Sequence, residues 1–348
     1  MKRCLKPKLM LALLVFCLAL LPSFVIAQDN TLTLITHDSF SVSEDVLARF
    51  EAETGIKVEV LTLGDTGSLV NQAILSKDAP LGDVLFGVDN TFLSRALEAD
   101  LFEPYASPEL ENVPDSFLLD EENRVTPVDY GDVCINYDIA YFETNDLPLP
   151  QSLADLTAPT YQNLLVVQNP ATSSPGLAFL LATIEVFGEE EALAYWQALL
   201  ANGALVVDGW ETTYFGYFSA VAEGGTYPLV VSYASSPPFT VDEATGIAST
   251  ASLVFDAMCF RQIEFVGILR GTSKQREARA WVDFMLGDAF QADVPLQMYV
   301  FPVREDVQLP EIFEEFAQVP ASPVLMDSAT LEANRERWIQ AWLENVLR

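Results

Sequence analysis

Residues 31–64, TLTLITHDSFSVSEDVLARFEAETGIKVEVLTLG, decide the fold. "TLTLITH" (31–37) is an apolar strand that ends at His37. "SEDVLARFEAETG" (43–55) has helical spacing and a glycine stop, and "IKVEVLTLG" (56–64) is the next strand. A strand, helix, strand order of this kind implies a right-handed βαβ unit on a largely parallel sheet.

The alternation continues downstream, with no internal repeat. "DTGSLVNQAILSK" (65–77) reads as a helix, "GDVLFGVD" (82–89) as a strand and "NTFLSRALEADLF" (90–102) as a helix. These complete a doubly wound α/β lobe. The chain then crosses through "RVTPVDYGDVCINYD" (124–138) into a second series. It comprises helix "SLADLTA" (152–158), strand "NLLVVQNP" (163–170), helices "PGLAFLLATIEVFG" (175–188) and "EEEALAYWQALLANG" (189–203), and strand "ALVVDG" (204–209). Helix "ETTYFGYFSAVAEGG" (211–225) and strand "YPLVVSYA" (227–234) follow. A looser stretch containing "FRQIEFVGIL" (260–269) leads to helix "SKQREARAWVDFML" (273–286) and a closing helix, "TLEANRERWIQAWLENVL" (330–347).

Composition limits the function classes. The first 27 residues place four cations before a leucine-rich run and close on Val-Ile-Ala, the order of a secretory signal peptide. Cys17 follows Phe16 instead of a small residue, so no lipid anchor is expected, and the exported product is expected to be soluble. Of the 348 residues, 321 remain after those 27, enough for two lobes. Loss of the four leader cations takes the formal charge from −32 to −36, a field that repels nucleic acid and anionic lipid and attracts cations. Most of these acids belong on solvated faces. Two of the four cysteines, Cys134 and Cys259, outlast processing, in segments that read as strands, and an oxidising compartment makes a disulfide between them plausible. With one histidine in the chain there is no Cys/His metal grouping, and neither metal nor cofactor is expected.

In open α/β sheets, ligands bind beyond the carboxyl ends of strands. The segments there are "THDSF" (36–40), "LGDTGS" (63–68), "VDN" (88–90), "NPATSSPG" (169–176), "DGW" (208–210) and "SYASSPPF" (232–239). Tyr214, Phe218 and Val221, with Phe215 beside them, form the stripe of a buried helical face and are assigned to the core. Trp210, Tyr233 and Phe239 stand at strand mouths, where each is either core or a flat apolar wall for a ring-shaped ligand. Asp65 in "GDTGS" is either a helix N-cap or a ligand contact. Ser174 reads as an N-cap with Pro175 at the first helical position, leaving Ser173 and nearby N–H groups as a small pocket for a hydroxyl or phosphate.

These strand-end segments, in this order and over almost all of the mature chain, closely resemble the thiamine-binding periplasmic proteins of ABC importers. The motifs are "DSF" (38–40), "TPVDYG" (126–131), "NPATSSPGL" (169–177), "DGW" (208–210) and "SYASSP" (232–237). The resemblance implies two doubly wound α/β lobes joined by hinge strands, a type II-like periplasmic substrate-binding protein fold. Residues 28–128 with about 262–305 would form lobe one, 129–261 lobe two, and 306–348 a C-terminal helical segment packed on the lobes. It also implies a ligand site at His37, Asp65, Ser173, Trp210, Tyr233, Phe239 and Tyr299, the last from "QMYVFPV" (297–303). Three of these depart from the family pattern: tyrosine becomes His37, tyrosine becomes Phe239 and tryptophan becomes Tyr299. A tryptophan after "DSF" has no counterpart in "SVSED".

The implied ligand is thiamine or a phosphate ester of it, delivered by a monomeric, non-catalytic, periplasmic or otherwise exported protein to a membrane permease with its ATPase. Aromatic faces attract the thiazolium cation, and Asp65 or Asp89 accepts amino protons or balances the charge. Three rivals remain. A ferric-ion binder of the same architecture is disfavoured because the sequence has no adjacent tyrosine pair, and a polyamine binder would also use acids and rings. An exported hydrolase lacks a Gly-x-Ser-x-Gly elbow and a second histidine.

Overall fold

A computed structural model describes residues 30–255 and 258–347. The signal-peptide reading of residues 1–27 lies outside the described residues. In chain order the elements are β1 (Thr31–Thr36), α1 (Glu44–Thr54), β2 (Lys57–Thr62), α2 (Thr66–Leu75), β3 (Val84–Asp89), α3 (Leu93–Glu98), β4 (Phe102–Glu103) and β5 (Thr126–Asp138). They continue with α4 (Ile139–Thr144), β6 (Leu165–Gln168), α5 (Ser174–Phe187), α6 (Glu189–Ala201), β7 (Leu205–Val207), α7 (Trp210–Gly216), β8 (Leu229–Tyr233) and the hairpin β9 (Val241–Asp242) with β10 (Ile247–Ala248). Last come β11 (Thr250–Leu253), β12 (Phe260–Leu269), α8 (Gln275–Met285), α9 (Asp288–Gln297), β13 (Phe301–Pro302), α10 (Glu311–Phe316) and α11 (Ser328–Asn345).

The opening βαβ unit forms as its sequence dictates. Ser43 caps α1 by accepting from the Val46 N–H, and Gly55 ends it at φ 71°, a left-handed position that costs a glycine little. β1 then pairs parallel with β2 on one side and β3 on the other. The principal sheet path is β2-β1-β3-β12-β5-β8-β6-β7. β6 is parallel to β7 and β8. The centre is antiparallel, β12 against β3 and β5, and β5 against β8. The expected largely parallel sheet is therefore parallel only on its flanks. The reason is that the chain passes through the middle twice, on β5 and β12, the long strands that join two α/β lobes.

Residues 260–269, expected within a looser stretch, form a ten-residue strand. Three expected helices shrink: residues 90–102 keep Leu93–Glu98, with Phe102 already in β4, residues 152–158 keep one 3₁₀ turn at Ala154–Thr157, and α7 stops at Gly216 instead of running to 225. Gly216 is a poor helix former, and Phe218 beyond it bridges to Tyr227. Cys134 and Cys259 are disulfide-bonded, with Cα atoms 4.5 Å apart. The bond fastens β5 to the residue before β12, so both crossing strands are stapled near the centre of the sheet. No helix among the described residues is long and apolar enough to cross a membrane.

Candidate functional site

A cleft of about 260 Å³ opens where strand ends and helix N-termini meet. His37 follows β1, Asp65 precedes α2, Ser174 and Trp210 begin α5 and α7, Tyr233 ends β8, Phe239 lies in a 3₁₀ turn and Tyr299 follows α9. All seven line the cleft. The other two expected residues do not: Asp89 and Ser173 are fully buried behind the wall. Ser173 is the N-cap residue of α5, one position earlier than expected, and Ser174 is already helical.

Rings form one side. Trp210 is the first residue of α7, not a residue before it; it stacks on Tyr214 at 4.9 Å and donates from Nε1 to Ser232 Oγ at 3.0 Å. Phe215, assigned to the core from its helical stripe, is 40% exposed and faces the cleft, while Phe218 is fully buried. Phe215 lies inside α7 directly after Tyr214, and successive helical side chains point about 100° apart, so it turns from the buried stripe toward the cleft. Phe239 bridges the rim, 5.4 Å from Phe215 and 5.2 Å from Tyr299. Gly131 on β5 makes room for the wall, since a Cβ there would come within 2.7 Å of the Tyr233 ring.

Carboxylates form the rest. Asp65 Oδ1 accepts from its own helix at Thr66 N (2.6 Å) and from Ser174 N (3.3 Å), and Oδ2 accepts from Trp210 N (2.9 Å). One carboxylate thus caps three helix N-termini, a favourable place for negative charge. Burial raises its pKa, and the hydrogen bond from Trp210 works against that rise. Asp89 is equally occupied, accepting from Thr91 N and Oγ1 and from Gln262 Nε2. Its burial raises the pKa to about 6.

The sequence reading missed Glu264. It lies on β12 opposite Asp89 of β3 and Asp129 of β5, so three acids stand side by side across the sheet. Asp129 is buried, and burial with the Glu264 charge beside it drives its pKa well up. His37 Nε2 is 3.2 Å from Glu264 Oε1. Gly87, at φ 96°, leaves space for the imidazole, which a Cβ there would strike. The available signal was a lone acid in an apolar strand, "FRQIEFVGIL". Among the described lining residues Asp38, Asp65, Glu211 and Glu264 are acidic and none is lysine or arginine.

The model of bacterial extracellular solute-binding proteins matches residues 79–320. The chain belongs to that family. It is 31% identical to the thiamine-binding periplasmic protein of Salmonella typhimurium, over 97% of this chain and 98% of that one. A solved periplasmic thiamin binding protein superposes with TM-score 0.81 at 30% identity, covering 91% of this chain and 96% of the other. Iron-bound HitA from Pseudomonas aeruginosa matches at 22% identity and TM-score 0.72, over 89% of this chain and 98% of that one, a likeness of fold alone. This solute-binding protein is an exported, non-catalytic component of transport and is homologous to the periplasmic thiamine-binding proteins.

In a solute-binding protein the three bonds of Asp65 have a mechanical meaning, because Ser174 and Trp210 lie across the cleft from it. Asp65→Ala should destabilise the arrangement with both sides in contact, since each hydrogen bond to a charged acceptor is worth ~1.5 to 3 kcal/mol. Small-angle scattering of the unliganded variant should give a larger radius of gyration than the parent. Superimposable curves would refute the cross-cleft clamp.

Proposed function

We propose that the cleft captures thiamine, as the free vitamin in preference to its phosphate esters, for delivery to the permease and ATPase of an ABC importer. The observation that carries this reading is the lining: Trp210, Tyr214, Phe215, Tyr233, Phe239 and Tyr299 with four acids and no lysine or arginine among the described residues. Thiamine joins a flat aminopyrimidine to a permanently cationic thiazolium. Rings hold the first by offset stacking and attract the second by ~0.5 to 2 kcal/mol each. A phosphate would find no lysine or arginine side chain among the described lining residues, and the helix N-termini at Thr66, Ser174 and Trp210 already point at the Asp65 carboxylate.

The protein acts as a monomer whose hinge lies in β5 and β12. Residues 28–128 with about 262–305 move against 129–261, and 306–348 packs on the lobes. Ligand contacts from both sides favour closure, because a ligand stabilises the state it binds better. The relatives named for thiamine support the ligand, and a ferric reading lacks the adjacent tyrosine pair.

Calorimetry in chelator-treated buffer tests the reading. Thiamine should bind with a stoichiometry near one and thiamine monophosphate at least ~10-fold more weakly, the equivalent of about 1.4 kcal/mol. Heat that returns only with ferric ion would replace this reading with metal binding.

A further inference from the structure

We propose that the cleft takes up its cationic ligand in exchange for a proton on His37, with Glu264 as the carboxylate that serves the two cations in turn. This rests on the thiamine reading and adds a charge-balancing residue and a pH dependence to it.

The acids of the cleft differ in how free they are to meet a cation. Asp65 is committed to three backbone N–H groups. Asp89 is fully buried and committed to Thr91 and Gln262. Asp38 accepts from Gly64 N, and Glu211, exposed on α7, accepts from Ser39 Oγ at 3.5 Å. Glu264 remains, at the floor of the cleft, its side chain 13% exposed, with Asp129 hydrogen-bonded to it from behind and its ion pair made with His37. A buried carboxylate needs a partner, and His37, the chain's sole histidine, supplies one when nothing else is bound.

The groups facing His37 are nearly all anionic. Glu264 faces it from β12, Asp65 from the head of α2 and Asp89 from β3, while Glu211 faces it from α7; Asp129 on β5 stands behind Glu264, and Tyr233 on β8 completes the wall. Burial alone would lower the imidazole pKa, but the Glu264 charge and the fields of Asp65 and Asp89 bring it above its ordinary value. The acids around His37 thus favour its cationic form in the empty cleft. A thiazolium arriving beside Glu264 repels the imidazolium at short range in a medium that screens poorly. The imidazolium N–H bond breaks, the proton leaves to buffer, and one positive charge replaces another.

The sign follows. Binding lowers the His37 pKa, so affinity falls as pH drops below the unliganded value, by up to ~10-fold per pH unit, and levels off once the pH passes the lower value of the complex. Above the unliganded value it is flat.

Calorimetry of the parent with thiamine, in two buffers of different ionisation enthalpy at pH values from 5.5 to 8.5, reads the released proton directly. The single histidine also gives one imidazole signal by NMR, which should titrate above ~6.5, the ordinary value, and move down when thiamine binds. In His37→Gln, whose amide still reaches Glu264, the release near neutrality should vanish and the affinity should lose its slope there. Thiamine binding in the parent without release and without pH dependence would overturn the exchange and leave the thiamine reading standing. Release that persists unchanged in His37→Gln would overturn it too, assigning the proton to the carboxyl groups. No binding heat at any pH would sink the functional reading and the exchange together.

Discussion

Phe218→Ala should lower the stability of the unliganded protein by about 3 to 5 kcal/mol, the usual cost of deleting a buried aromatic ring, and leave the affinity of the folded fraction unchanged. Phe218 is fully enclosed with Val166, Tyr214 and Val230. Its neighbours are anchored in β6, β8 and α7, which meet in the sheet core and relax little into the space left behind. Chemical denaturation followed by circular dichroism measures the loss, and calorimetry on the folded variant measures the affinity. A stability change below ~1 kcal/mol, the scale of an exposed substitution, would mean that the ring is not part of the core.

Trp210→Ala should behave in the opposite way. The indole is partly exposed in the cleft, stacked on Tyr214, with its Nε1 fixed by Ser232. Losing it removes a cation–π partner and the apolar area that covers the ligand, together ~2 to 4 kcal/mol of binding, or roughly 30- to 1,000-fold in Kd. The backbone N–H that Asp65 uses is kept, so the unliganded melting temperature should fall far less than in Phe218→Ala. Equal losses of stability in the two variants, with affinity intact, would remove Trp210 from the site.

These two rings also mark what was legible in the sequence. The strand, helix, strand pattern from Thr31 to Thr62 follows from local periodicity; of the nine expected residues seven line one cleft, six of them from strand-end segments and Tyr299 from the family resemblance alone. Phe215 was misassigned because, directly after Tyr214 on α7, it points about 100° away from the buried stripe, while the end of α7 depends on the bridge between Phe218 and Tyr227, a pairing that helical spacing does not encode. The capping reading of Asp65 is seen at Thr66 N, and the same residue lines the cleft. Its remote partners, however, lie 109 and 145 residues away, beyond any local pattern. Glu264 and Asp129 stayed hidden because strand-end reasoning passes over positions within strands. Their meeting depends on the antiparallel register of β5 and β12.

The central claim is that this cleft selects the thiamine cation. Native mass spectrometry of the protein, mixed with equal concentrations of thiamine, thiamine monophosphate, spermidine and ferric citrate at pH 7.5, tests it most directly. A spectrum dominated by a single thiamine adduct, reduced in Trp210→Ala and retained in the folded fraction of Phe218→Ala, is the predicted result. A dominant adduct of spermidine, iron or the phosphate ester would contradict it.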